Sequence, residues 1–179
     1  AELYQQALVI HREIGNKRGE ALAIGNLGNV SRTRGHFEQA ADLFQQAVAI
    51  QQEIGNRREE SIFLGWLGVT YLSQGQVERG LKLQHQALEI AIEIGDKRNE
   101  GMSQGNLGEA LYRLQRFDEA QAAFHTAIKL GKDTSPHKAG AFQGSLALLL
   151  AHRNNFTEAR TLLETGEALV KDHPVEYAN

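Results

Sequence analysis

Cysteine is absent from the sequence. That excludes a disulfide framework and any thiolate-bound metal, and it agrees with a reducing, cytoplasmic setting. Only two prolines occur, Pro136 and Pro174, both near expected element edges. Helices can therefore run uninterrupted through most of the chain. No apolar run is long enough to cross a bilayer; the longest, Leu146 to Ala151, is six residues and reads as a buried turn of helix. An excess of positive charge is missing too. The net charge is −3, which argues against nucleic acid as the main partner. The start, Ala-Glu-Leu-Tyr-Gln-Gln, has no basic region and no signal-like apolar core. No glycine-rich phosphate loop stands between a strand and a helix, and no Ser, His and Asp can be grouped on one face. The expectation is a chain without catalytic residues and without a cofactor.

What the sequence does contain is repetition. Ile14-Gly15, Ile54-Gly55 and Ile94-Gly95 are 40 residues apart, and so are Leu27-Gly28, Leu67-Gly68 and Leu107-Gly108. A fixed period in this range is the signature of a solenoid. Within one unit, Leu107, Leu111 and Leu114 recur at helical spacing. A second stripe follows in Phe117, Ala120, Phe124, Ala127 and Ile128. The link at Gln115-Arg116 is short, so the two helices are expected to be antiparallel. Gly95 suits a left-handed helix end, and Asp96 can cap the helix that follows. Gly28, Gly68 and Gly108 fall mid-helix, where glycine costs about 1 kcal/mol relative to alanine. Their recurrence predicts close helix packing against Ala40, Gly80 and Ala120.

These positions resemble the tetratricopeptide repeat (TPR), whose unit carries W-x2-L-G-x2-Y…A-x3-F. The Trp position holds Ile24, Leu64 and Gln104, and the Leu-Gly pair is kept three times. The Tyr position holds Ser31, Tyr71 and Leu111. The Ala position is Ala40, Gly80 and Ala120, the Phe position Phe44, Gln84 and Phe124, and a further Ala recurs at Ala47, Ala87 and Ala127. The resemblance implies an all-α, α-α superhelical solenoid of about nine helices in antiparallel pairs. Each unit is about six residues longer than the family's, and this extra length is expected in the second helix and the loop after it.

The expected organisation is a single array over 1–179. Residues 1–15 match the second half of a repeat, as in a piece cut from a longer array. Repeats follow at 16–55, 56–95 and 96–132, then a diverged fourth at 133–173 and a tail at 174–179. In the fourth copy Ser135-Pro136 supplies a helix start, and His173-Pro174 is expected to end the last helix. Val77, Gly80 and Gln84 predict that the second helix of repeat two is the least stable.

The seven histidines form no metal site by this reading. His85 and His125 share a repeat position and would stand roughly 10 Å apart, whereas zinc binds its ligands at about 2 Å. The basic pairs Lys17-Arg18, Arg57-Arg58 and Lys97-Arg98 are followed by Glu20, Glu59, Glu60 and Glu100, which are expected to cancel them along an exposed edge.

In TPR folds the first helix of each pair lines the concave face. The resemblance places Gly25, Asn26, Asn29 and Arg32 there in repeat one, and Gly65, Trp66, Val69 and Leu72 in repeat two. Repeat three supplies Gly105, Asn106, Glu109, Tyr112 and Arg113, and repeat four Gly144, Ser145, Leu148 and His152. Related long-repeat TPR proteins hold an extended peptide with asparagines at the Asn26 and Asn106 position. An amide side chain suits that task because it both donates and accepts. Trp66 offers either an aromatic anchor or a packing residue between helices. The glycines before these residues would let a ligand approach the backbone. The lysine of chaperone-tail clamps is replaced by Gly25, Gly65 and Gly105, so that ligand is not expected.

The candidate peptide-binding residues are therefore Asn26, Asn29, Trp66, Val69, Asn106, Glu109, Tyr112 and Arg113. The hinges and G-N-L-G copies resemble TPR arrays in large bacterial signalling proteins, behind a regulatory ATPase or Ser/Thr kinase. The implied role is a regulatory module binding a protein or peptide partner. The alternative is a structural scaffold that self-associates through its ends.

Overall fold

The computed structural model describes residues 1–172. Among these residues every regular element is helical. The helices are α1 (Glu2–Glu13), α2 (Lys17–Thr33), α3 (Phe37–Glu53), α4 (Arg57–Ser73), α5 (Val77–Glu93), α6 (Lys97–Arg113), α7 (Phe117–Thr134), α8 (Pro136–His152) and α9 (Phe156–Asp172). The expected break at His173-Pro174 and the tail 174–179 lie outside the described residues. The chain divides into two compact units, 1–95 and 96–179. In the first, α1 packs on α2, α2 on α3, α3 on α4 and α4 on α5, and α2 also touches α4; in the second, α6 packs on α7, α7 on α8 and α8 on α9, with α6 touching α8.

Local chemistry sets the hinges. Gly15, Gly55 and Gly95 close their helices with φ of 67°, 69° and 71°, the left-handed conformation that glycine adopts without a Cβ penalty. The next residue caps the following helix. Asn16 accepts from Gly19 N at 2.9 Å, Asn56 from Glu59 N at 3.5 Å and Asp96 from Asn99 N at 3.0 Å. Turns inside the pairs use Gly35 and Gly75 at φ 79° and 76°. Repeats three and four lack that glycine, and Gln115 and Asn154 take the left-handed conformation instead.

The extra repeat length is not where the sequence reading put it. Helices α2 to α6 are all 17 residues, and the connections 14–16, 34–36, 54–56, 74–76, 94–96 and 114–116 are equally short. Both helices of a pair are lengthened, and the loop is not. Helix α7 also runs past 132 to Thr134. Its Gly131 stays helical beneath α8, where an added Cβ would lie 3.1 Å from the Ala139 Cβ.

Mid-helix glycines mark close approach. A Cβ on Gly28 would lie 2.9 Å from the Phe44 ring, and one on Gly108 would lie 2.6 Å from that of Phe124. Both rings are buried, at 0% and 1% exposure, and cannot retreat without opening the pair. In repeat two Gln84 replaces the ring. It is fully buried, lies over Gly68 and donates from Nε2 to the Gly65 carbonyl at 2.8 Å. Leu72 fills the space over Gly80. The polar substitution in the expected weakest helix is thus hydrogen-bonded, which offsets much of its burial cost.

Candidate functional site

The candidate residues fall into two groups. Asn26 and Asn29 on α2, with Trp66 and Val69 on α4, belong to the first unit and are partly exposed. Asn106, Glu109, Tyr112 and Arg113 on α6 belong to the second. There Arg113 is exposed and the others partly so. The first group lies on two first helices that touch, α2 and α4; the second lies on α6 alone, which touches α8.

Contacts between adjacent first helices correct one expectation. The glycines before the candidate positions were to leave room for a ligand. Instead Gly25 is covered by Phe63, whose Cε1 would lie 2.2 Å from an added Cβ, and Gly105 is covered by Phe142, with Cζ at 2.1 Å. Phe63 is 1% exposed and Phe142 8%. The missing side chain of one first helix is the socket for an aromatic ring of the next. Gly65 is partly exposed, with Gln84 Oε1 3.9 Å from where its Cβ would stand.

Trp66 packs between helices. Its ring meets Phe63 edge-on at 5.4 Å and Phe44 at 5.7 Å between centroids, so one face belongs to the core while the residue stays partly exposed. Asn29 accepts from Arg32 Nη2 at 2.8 Å. Burial pushes the Arg32 guanidinium down from its ordinary value, and Arg32 has no carboxylate partner among the described residues. In the second unit Glu109 accepts from Ser145 Oγ. Tyr112, Phe117 and His152 form an aromatic cluster with centroids 5.0 to 6.2 Å apart.

One basic residue of each hinge pair meets a carboxylate. Glu20 meets Arg12 at 2.9 Å and Lys17 at 3.5 Å, and Lys97 meets Glu100 at 2.7 Å. Arg57 bridges Glu60 at 2.6 Å and Glu93 at 2.8 Å. Glu60 is a correction, however. It is not an exposed helix-start carboxylate but 4% exposed, held by Arg57 and by Gln52 Nε2 at 2.9 Å. A buried carboxylate needs such partners, because leaving water is otherwise costly.

No cluster of three or more His, Cys, Asp or Glu able to hold a metal occurs among the described residues. No described helix is long and apolar enough to cross a membrane.

Residues 1–178 match the MalT-like TPR region. The chain belongs to this family. Solved structures share the fold. BtubC (BKLC) from P. vanneervenii is 17% identical, with a TM-score of 0.80 over 99% of this chain and 74% of that one. A kinesin-light-chain-type protein of Podosopora anserina, with nearly identical TPR-like repeats, is 22% identical, with a TM-score of 0.68 over 97% of this chain and 87% of that one. RapI in its apo form is 16% identical, with a TM-score of 0.83 over 94% and 62%. No curated protein gave a significant match. At these identities the likeness concerns the fold, which is that of TPR helical repeats.

Proposed function

We propose that this chain is a protein-interaction module. It takes a peptide or helix of a partner on the partly exposed faces of its first helices and serves as a regulatory part of a larger signalling protein. One observation carries the reading: Arg32, a half-buried guanidinium oriented by Asn29 and without a carboxylate on the described residues. A desolvated charge without a counter-charge is costly to keep, and a carboxylate or carbonyl from a bound segment would offset that cost. Asn26, Asn29, Trp66 and Val69 would form the contact surface in the first unit, and Asn106, Glu109, Tyr112 and Arg113 that in the second.

A second reading rests on α1. It has no buried residue and exposes Leu3 (78%), Val9 (55%) and Ile10 (54%). Such a face favours self-association through an end, the scaffold role.

The test uses a photo-crosslinking amino acid placed in turn at Asn29, Glu109 and, as outer control, Gln121, expressed in the source cells. The proposal expects a distinct protein captured from Asn29 and Glu109 but not from Gln121. Arg32→Ala should weaken that capture about tenfold or more, the scale of a hydrogen bond to a charged group. Capture of the chain by itself alone, with a dimer or larger species in light scattering, would replace the module reading with the scaffold reading.

A further inference from the structure

The second repeat differs from its neighbours at one place on its second helix. Arg79 and Lys82 stand where repeat one has Gln39 and Asp42, repeat three has Glu119 and Ala122, and repeat four has Glu158 and Thr161. Three repeats form the same helix pair with neutral or acidic residues there, so folding does not require the two cations. Neither has a carboxylate partner among the described residues, although one basic residue of each hinge pair does.

Arg79 is nonetheless held in place. Its guanidinium lies 4.0 Å over the Tyr71 ring, donates from Nη2 to the Tyr71 hydroxyl at 2.8 Å and also donates to Gln76 Oε1. The same hydroxyl accepts from Gln45 Nε2 at 2.7 Å. Having accepted two bonds, the hydroxyl keeps its own proton without an acceptor. These groups rim a cleft of about 330 Å³ between α3, α4 and α5, within the first unit. Leu67 and Leu83 line its apolar part. Two unpaired cations and a spare hydroxyl proton call for an anionic acceptor, and the leucines call for an apolar group beside it.

We propose that this cleft is a second docking site, independent of the first-helix faces, which takes an acidic side chain with an adjacent apolar side chain from a segment of a partner protein. The guanidinium is already oriented, so little of the binding energy is lost in fixing it. The apolar lining favours a carboxylate carried on a peptide over a small free anion, which would leave the leucines uncovered.

The experiment selects a phage-displayed random heptapeptide library against the whole chain and against Arg79→Glu/Lys82→Ala. These two substitutions introduce residues that repeat three already carries, and circular dichroism checks that the fold is kept. The expected result is enrichment of peptides with Asp or Glu next to Leu, Ile or Phe, at least about tenfold lower on the double variant. Leu83→Ala should keep the acidic preference and lose the apolar one. The peptides that the double variant loses should bind Arg32→Ala as tightly as the unaltered chain, which separates this cleft from the first-helix faces. The proposal is overturned by no enrichment, by enrichment of neutral or basic peptides, or by acidic peptides retained equally on the double variant.

Discussion

Gly105→Ala should destabilise the second unit, while Gly144→Ala, at the same position one repeat later, should stabilise it. Both glycines are helical, and alanine in a helix interior is better than glycine by about 1 kcal/mol. That gain applies equally to both. The difference is what the new methyl group meets. At Gly105 it would lie 2.1 and 2.2 Å from two atoms of the Phe142 ring, and at Gly144 nothing lies within 4 Å. Ordinary carbon contacts are about 3.5 to 4 Å, so Phe142 must retreat by more than an ångström. The ring is 8% exposed and has little room. Overpacking of this kind costs about 1–3 kcal/mol or more. The net change for Gly105→Ala is then a loss of up to about 2 kcal/mol, or a fall in thermal midpoint of up to about 8 °C for a chain of this size. Gly144→Ala should raise the midpoint by a few degrees. Adding Phe142→Ala to Gly105→Ala supplies the cycle. The double variant should lose less than the sum of the single changes, because removing the ring removes the clash. Repeats one and three carry Ala23 and Ser103 at the Phe142 position, so a small residue is compatible with the fold. Equal midpoints for Gly105→Ala and Gly144→Ala, or strict additivity in the cycle, would refute the socket argument.

Other consequences can be measured on the same material. Gln115 sits at φ 58°, a conformation costing a non-glycine residue about 1–2 kcal/mol; Gln115→Gly should raise the urea midpoint, despite glycine's freer unfolded chain. Gln51 is fully buried with neither amide atom hydrogen-bonded among the described residues; Gln51→Met should stabilise by about 1–2 kcal/mol, and a loss in denaturant titration would point to a partner for the amide. Glu20 is held below the ordinary carboxylate range, first by its hydrogen bond from Arg12 and then by Lys17. A depressed carboxylate contributes stability that is fully present above its ordinary value and is lost as pH falls through the folded value. Amide protection factors in α1, taken relative to the intrinsic exchange rate at each pH, should therefore fall on acidification through that window, and Glu20→Gln should remove this step; a step that persists in the variant would assign it to other carboxylates.

Much of the fold could be read without coordinates because its determinants are local. A left-handed Gly95 followed by Asp96 depends on residues adjacent in the chain, and the α6 and α7 stripes depend on a spacing of three or four. The repeat adds a check, since the same hinge must work at Gly15 and Gly55. The small residues at Gly28 and Gly108 were legible for the same reason, as they face Phe44 and Phe124 in their own pair. The candidate residues are a different matter. They were chosen by their place on the first helices, and their surroundings on α2, α4 and α6 are set by which helices stack against them.

What the amino-acid sequence determined by itself is the period, the helix pairs and the caps, because cap chemistry and helical spacing act over a few residues. What only the tertiary structure decided lies between pairs. Sequence reading left Gly25 open to a ligand, and Phe63, 38 positions later, closes it. It left Glu60 on the surface, and Gln52 and Arg57 hold it in the interior. It did not bring Gln45, Tyr71 and Arg79 together, because they come from three helices and their spacing follows no single period. Burial and partner choice depend on which faces meet when one pair stacks on the next, and the period is the same whichever residues those faces present.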